Sequence, residues 1–137
     1  DDVREKLQSI ASKRPGEWLQ IVGGLSREDT IREILSADIL VAPSYIEGFP
    51  NVILEAMACE TPIIASCVGA IPEMLDNGKC GVLIEPRNTE AIREAISGLL
   101  TDEEKKLMLA RHAKERVYKK YTMPVVWNQL VTIFEEM

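Results

Sequence analysis

Residues 39–59 read ILVAPSYIEGFPNVILEAMAC: a continuous apolar run, a short loop and a second apolar segment. The run at residues 39–42 lacks polar alternation, which is typical of a strand buried on both faces of a sheet. Pro43 and Ser44 end this strand. Residues 50–59 predict a helix with Pro50 in its first turn, where the missing N–H is not needed.

More apolar runs extend this pattern along the chain. Residues 62–65 and 81–84 repeat the continuous type, with a helical segment at residues 71–76 between them, and residues 18–22 form a further run before a glycine pair. Strands that alternate with helices favour a parallel sheet. The sequence therefore predicts an α/β fold with a Rossmann-like parallel sheet of about four strands, flanked by helices.

Helices are predicted on either side of this core. Residues 2–13 have apolar positions at helical spacing up to a turn at Pro15, and Ser26 starts a sequence that resembles a capping box. Residues 91–100 carry an apolar helix face, Thr101 is predicted to cap the next helix, and the tail is helical to its end. Since no repeat or linker interrupts the pattern, residues 1–137 are predicted to form one domain.

Charge and composition exclude several classes of protein. The 16 basic and 22 acidic side chains give a net charge of −6. Binding to nucleic-acid phosphates needs clustered positive charge, so no nucleic-acid partner is expected. No apolar run reaches the roughly 18 residues of a membrane-spanning helix, and the charged N-terminus is unlike a signal peptide. We expect a cytoplasmic protein.

The cysteines and the histidine give no metal signature. Cys59, Cys67 and Cys80 form an odd set without C-x-x-C spacing, and His112 is the single histidine. The cysteines are predicted to be reduced, and Cys59 and Cys67 are predicted to pack in the core. Basic side chains along residues 105–120 form either a solvated face or a contact with anionic lipid at the inner face of a membrane.

The loop after residues 39–42 is a candidate ligand site, because open α/β sheets bind ligands at the carboxyl ends of their strands. Phe49, just before Pro50, is not a capping residue. The N–H groups of Asn51 and Val52 are then free for an anion such as a diphosphate, which the helix dipole also favours. The alternative is that water or the Glu47 carboxylate satisfies these donors.

Glu55 lies in a segment that is apolar nearly all round, which is typical of a buried helix. A buried carboxylate needs hydrogen-bond donors, and ligand hydroxyls would supply them. The alternative is that Glu55 reaches solvent or pairs with an arginine. Glu47 and Glu55 also resemble a glycosidase pair, but spacing along a chain does not establish the separation that such a pair requires.

Two glycine-containing loops give weaker signals. Gly69 permits a close backbone approach or a positive φ after residues 62–65, although helix capping by itself explains that loop. Gly23 and Gly24 lack the third glycine of G-x-G-x-x-G, so a dinucleotide fingerprint is absent.

The string at residues 43–58 resembles the E-x7-E motif of the C-terminal, donor-binding domain of retaining GT-B glycosyltransferases of family 4. Its two glutamates are Glu47 and Glu55, and the matches at residues 61–66 and 72–73 follow at the family's spacing. The resemblance runs over about residues 18–100, with a weaker continuation to the end. It implies the C-terminal half of a GT-B fold.

The resemblance implies a role for each site residue. Glu47 contacts hydroxyls of the donor sugar as the catalytic carboxylate, and Glu55 contacts the nucleotide ribose. Backbone groups near the helix start bind the diphosphate, and backbone after an earlier strand holds the base. The implied donor-binding residues are Glu47, Gly48, Phe49, Asn51, Val52, Glu55, Gly23 and Gly24.

By resemblance, the reaction transfers a sugar from a nucleotide diphosphate sugar, with a UDP-sugar favoured, to a glycan, lipid or other acceptor. The anomeric configuration is retained, and neither a metal ion nor another cofactor is needed. The expected setting is cell-envelope polysaccharide biosynthesis. The alternatives are a sugar-nucleotide epimerase of the same fold and a non-catalytic nucleotide-sugar binding module.

Departures from the family pattern concern two loops and both ends of the chain. Glu60 stands where the family usually has Gly, and residues 68–70 are less rich in glycine. The family's acceptor-binding N-terminal domain and basic diphosphate ligands would precede Asp1, so this chain is expected to be an inactive, N-terminally truncated piece. The helix around Trp127 is predicted to expose an apolar face that packs on that missing domain or forms a dimer.

Overall fold

The computed structural model describes residues 2–13, 16 and 18–136. These divide into two compact units, Asp1–Thr30 and Ile31–Met137. Among the described residues, no helix combines the length and apolar character needed to cross a membrane.

The first unit contains helix α1 (Asp2–Ala11) and the start of helix α2 (Arg27–Ser36). The predicted cap of α2 is confirmed, because the Asp29 amide donates to the Ser26 hydroxyl oxygen at 3.1 Å. The turn predicted at Pro15 lies outside the described residues. The strand predicted at residues 18–22 is wrong: the segment has no regular structure. A strand exists only by pairing with a neighbour, which an apolar run does not reveal by itself.

The second unit is an α/β layer structure. Its strands are β1 (Leu40–Ala42), β2 (Ile63–Ser66) and β3 (Val82–Ile84). They form a parallel sheet in the order β1-β2-β3, with Val41 paired to Ile64 and Ala65 paired to Leu83. The α/β parallel-sheet fold is confirmed, with three strands in the described chain rather than about four.

Helices follow each strand of the sheet. After β1 comes α3 (Asn51–Ala58), and after β2 come α4 (Ile71–Met74) and a 3-10 turn (Asp76–Gly78). The chain after β3 forms α5 (Thr89–Thr101), α6 (Glu103–Lys120) and α7 (Met123–Glu135).

The core has two parts because side chains alternate along β2. Ile63 and Ala65 join a cluster with buried side chains of α3, α4 and α6, including Met57. Ile64 joins a second cluster with Leu99 of α5. Helices therefore cover both faces of the sheet, which explains why the strand sequences are continuously apolar.

The caps of α5 and α6 are side-chain oxygens. The Ala91 amide donates to Asn88 Oδ1 at 3.0 Å. The Lys105 amide donates to Asp102 Oδ1 at 2.9 Å, so α6 is capped by Asp102 and the prediction of Thr101 is wrong by one position. The carboxylate of Asp102 is the better acceptor at a helix N-terminus because it carries a charge.

Helix α7 exposes much of its apolar surface, as its sequence predicts. Trp127 is 64% exposed and Phe134 is 72% exposed, and no residue of α7 is buried in the described chain.

Candidate functional site

The carboxylate of Glu47 is held by the loop that follows β1. The Ser44 hydroxyl donates to Glu47 Oε1 at 2.7 Å, and both side chains are half-buried. A hydrogen bond to an ionised acceptor is stronger than one between neutral groups. Ser44 therefore fixes the direction of one carboxylate oxygen, and the other accepts no hydrogen bond from the residues that the structure describes.

Helix α3 begins without a side-chain cap. Pro50 is its N-cap residue with φ −71° and ψ 119°, and no side-chain hydrogen bond caps the helix in the part of the chain that the structure describes. Pro50 was expected inside the first turn and Phe49 just before the helix; the structure starts the helix one residue later, at Asn51. The extended backbone at Pro50 is compatible with its ring, and its carbonyl accepts from the Ile53 amide at 3.2 Å.

The first two amides of α3 have the environment that the sequence predicts for an anion site. Asn51 is exposed and Val52 is half-buried, and their N–H groups donate to no acceptor among the residues described. The Glu47 carboxylate, which was the alternative cap, bonds to Ser44 instead. Uncapped amides and the positive end of the helix dipole are compatible with a negatively charged ligand.

The loop after β2 supports the loop that carries Glu47. The Ala70 amide donates to the Gly48 carbonyl oxygen at 2.9 Å. Gly69 has φ +54°, and a Cβ on it would overlap the Glu47 carbonyl oxygen. Only glycine fits both the backbone angle and the space. This contact is a structural requirement of the site that helix capping does not explain.

Phe49 links the site loop to the end of α6. Its ring makes an edge-to-face contact with Tyr121, with 5.7 Å between ring centroids. Such aromatic pairs prefer this geometry and stabilise beyond the burial of area. The loop at residues 47–49 is thus held on two sides, by residues 69–70 and by Tyr121.

Glu55 is half-buried on α3, between the buried residues Ile53 and Met57. The apolar sequence of α3 favours a fully buried helix. Glu55 is nevertheless only partly buried. The spacing of four residues places Glu55 on the same side of α3 as Asn51. Burial raises the pKa of the Cys59 thiol, and the nearby Glu55 carboxylate raises it further.

Gly23 and Gly24, the predicted ligands of the base, lie in the first unit. Both are exposed, and Gly23 has φ +70°. A Cβ would meet nothing within 4 Å at either position in the described chain. Their assignment to the base stays a prediction.

Glu60 stands where the family pattern has glycine, and the structure shows how a glutamate fits there. Its φ is +59°, a conformation that glycine adopts most easily. Its carboxylate accepts from Lys114 Nζ of α6 at 2.8 Å, and this hydrogen bond lowers the pKa of Glu60. The backbone thus keeps the glycine-type turn while the side chain gains a contact to α6.

The three cysteines differ in their environments. All are free thiols; Cys80 is buried, Cys59 is half-buried and Cys67 is exposed. The prediction of core packing is confirmed for Cys59, which packs against the core cluster, and wrong for Cys67. Cys67 lies in the loop just after β2. Its amide donates a hydrogen bond to the Ile84 carbonyl oxygen at 2.8 Å.

Comparison with known proteins identifies the family. The family model described as glycosyl transferases group 1 matches residues 2–116, so the chain belongs to that family. The curated alpha-maltose-1-phosphate synthase of Mycolicibacterium smegmatis is 32% identical; the match covers 100% of this chain and 37% of that protein. The chain spans about a third of the length of the curated relatives it matches.

Solved structures agree with the fold. The C-terminal domain of the group 1 glycosyl transferase LpcC from Francisella tularensis aligns with a TM-score of 0.75 at 29% identity, over 89% of this chain and 64% of that one. Anabaena HepE, solved in complex with UDP, aligns with a TM-score of 0.85 at 23% identity, over 98% of this chain and 37% of that one. The structures it resembles are GT-B glycosyltransferases.

Ser44 and Gly69 make contacts at the candidate site that the sequence does not predict. A serine three residues before a glutamate is a weak local signal for a hydrogen bond between them. The sequence predicts that Gly69 allows a close backbone approach. It does not predict that the approaching group is the Glu47 carbonyl, which lies on another loop.

Proposed function

We propose that this chain is the donor-binding part of a retaining glycosyltransferase that transfers a sugar from a nucleotide diphosphate sugar to a glycan, lipid or other acceptor. The proposal rests on two features that follow the carboxyl end of β1. These are the Glu47 carboxylate oriented by Ser44 and the uncapped N-terminus of α3.

The chemistry of transfer requires stabilisation of the departing diphosphate. The amides of Asn51 and Val52, at the positive end of α3, would stabilise the negative charge that develops on it. Because the loop is held by residues 69–70 and by Tyr121, these donors need little reorganisation during the reaction. No metal ion is required for this role, and we propose that the reaction is independent of metals.

The two glutamates would recognise the sugar and the ribose. Glu47 is placed to accept a hydrogen bond from a hydroxyl of the donor sugar through the oxygen that Ser44 does not occupy. Glu55 is half-buried on the same side of α3 as Asn51, where a ribose next to the diphosphate would reach it. Retention at the anomeric carbon follows from the family resemblance and is part of the proposal.

UDP is the favoured nucleotide. HepE, which has the same fold, was solved with UDP, and this supports uridine as the first base to test. We further propose that the rest of the protein supplies the acceptor site and further diphosphate ligands, because the curated relatives are about three times as long as the matched chain.

Calorimetric titration of the full-length protein with UDP, GDP and ADP tests the proposal. We expect selective binding of one nucleotide and at least tenfold weaker binding by Glu55→Ala, the loss expected of a charge-assisted hydrogen bond. Glu33→Ala, which removes an exposed carboxylate from α2, is the matched control and should bind like the parent. Binding of no nucleotide, or equal binding by Glu55→Ala, would contradict the proposal.

A further inference from the structure

A cavity opens at the carboxyl ends of the strands, on the side of the sheet covered by α5. It has a volume of about 240 Å³ and is lined by, among others, Tyr45, Ser66, Ile84, Glu85, Arg87 and Thr89. We call it the Ser66 pocket. A single water occupies about 30 Å³ of the liquid, so the pocket has room for a small ring.

The hydroxyl of Ser66 has no hydrogen-bond partner in the described part of the chain, although the residue is 1% exposed. Ser66 ends β2, and the alternation of side chains puts it on the same face as Ile64, which packs towards α5. A buried hydroxyl without a partner costs free energy, and native proteins rarely leave one unsatisfied. Ser66 also lines the pocket, which makes a ligand there the candidate partner of this hydroxyl once a small side-chain rotation exposes it.

The charges around the pocket favour a neutral ligand. Glu85 and Arg87 supply one charge of each sign. The N-terminus of α5 adds a partial positive charge at Thr89, which the acidic Glu90 in its first turn offsets. An anion would meet the Glu85 carboxylate, and a cation would meet Arg87. Hydroxyl groups suit both, because they donate to carboxylates and accept from guanidinium groups.

The remaining surfaces of the pocket suit a sugar ring. Tyr45 supplies aromatic surface, and Arg87 Cζ lies over its ring, 5.2 Å from the ring centroid, in a cation–π contact. Ile84 supplies apolar surface for the C–H groups of a ring. An apolar wall with a few convergent polar groups is the usual composition of a small-molecule site.

We propose that the Ser66 pocket binds a neutral sugar ring, at a site separate from that of Glu47, Asn51 and Glu55. Both sites share the loop after β1, since Tyr45 lines the pocket and Glu47 lies two residues further on. The proposal does not depend on nucleotide binding, because no residue of the uncapped start of α3 takes part in it.

Amide chemical shifts of the full-length protein, recorded during titration with glucose, galactose and mannose, test this proposal. We expect at least one sugar to shift the amides of Ser66, Arg87 and Thr89 in a saturable way. Ser66→Ala and Glu85→Gln should each weaken that binding about three- to tenfold, the value of one hydrogen bond. Ser97→Ala, which removes an exposed hydroxyl from α5, should leave it unchanged.

Two further readouts keep the result unambiguous. Ser66→Ala should leave the midpoint of thermal unfolding unchanged or raised, since it removes a hydroxyl without a partner, and should bind UDP like the parent. Failure of UDP binding alone would count against the donor site and not against this pocket. The pocket proposal is overturned if none of the three sugars shifts these amides, if both variants bind as the parent does, or if inorganic phosphate displaces the sugar from them.

Discussion

Gly69 and Glu47, from loops after different strands, meet so closely that any side chain at position 69 would overlap the Glu47 carbonyl oxygen. The next residue, Ala70, donates its amide to the Gly48 carbonyl oxygen at 2.9 Å. The loop after β2 thus sets the position of the backbone that carries the candidate catalytic carboxylate.

Replacement of Gly69 by Ala should disrupt the site. The positive φ and the overlap together predict a loss of more than about 2 kcal/mol in the free energy of unfolding, or a shifted site loop with lost nucleotide binding. Denaturant unfolding and UDP titration measure the two effects.

Gly98→Ala is the matched control, because a Cβ at this position of α5 meets no described atom within 4 Å. Alanine has the higher helix propensity, so this variant should gain about 0.5–1 kcal/mol. A Gly69→Ala protein with parental stability and parental UDP affinity would show that the contact between the loops is not required.

Ser44→Ala should reduce transfer without unfolding the protein. The hydroxyl orients the Glu47 carboxylate at 2.7 Å, and its removal should lower kcat/KM about tenfold through a misdirected carboxylate. Ser36→Ala, which removes an exposed hydroxyl that bonds within α2, should retain parental kinetics. Equal kcat/KM values for the two variants would show that transfer does not require Ser44 to orient Glu47.

The pair of Glu60 and Lys114 should contribute to stability in a pH-dependent way. The hydrogen bond from Lys114 holds the pKa of Glu60 below its ordinary value. A depressed folded-state pKa gives stability that is present above the unfolded-state pKa and is lost as the pH falls through the folded one. Glu60→Gln should therefore show a weaker fall of the free energy of unfolding between neutral and acidic pH.

Other acidic groups also contribute to that fall. The pH dependence of the free energy of unfolding is therefore compared between each variant and the parent protein. Asp76 and Glu90 have lowered pKa values because Lys79 and Arg93, respectively, donate hydrogen bonds to them. Lys114→Met should weaken the pH dependence in the same way as Glu60→Gln. Parental pH profiles for both variants would refute a contribution from the pair.

Transfer should not depend on a divalent metal ion. In the proposed mechanism, the amides at the start of α3 stabilise the negative charge on the diphosphate, so this role does not need a cation. Dialysis of the full-length protein against EDTA should leave its rate within about twofold of the untreated rate. A loss of activity that Mg²⁺ or Mn²⁺ restores would require a different account of the leaving group.

The sheet and the main helices are predictable because their signals are local. Continuous apolar runs identify β1, β2 and β3, and Ser26 identifies the start of α2. The run at residues 18–22 has the same appearance but no strand structure, because strand pairing depends on partners distant in sequence.

At the candidate site, the sequence predicts the start of α3 but not the contacts between loops. The uncapped start of α3 follows from the absence of a capping residue before it, and the structure confirms that no described side chain caps it. The contact of Gly69 with Glu47 and the unsatisfied hydroxyl of Ser66 depend on which loops meet at the sheet edge. These contacts join loops that are far apart in sequence, and hydrophobic periodicity reports only on neighbouring residues.

The central claim is that the start of α3 binds the diphosphate of a nucleotide. Amide chemical shifts of the full-length protein, recorded with UDP and separately with uridine, test it most directly. We predict that UDP shifts the amides of Asn51 and Val52 strongly and that uridine, which lacks the phosphates, does not. Saturable UDP binding that leaves both amides unshifted would contradict the account.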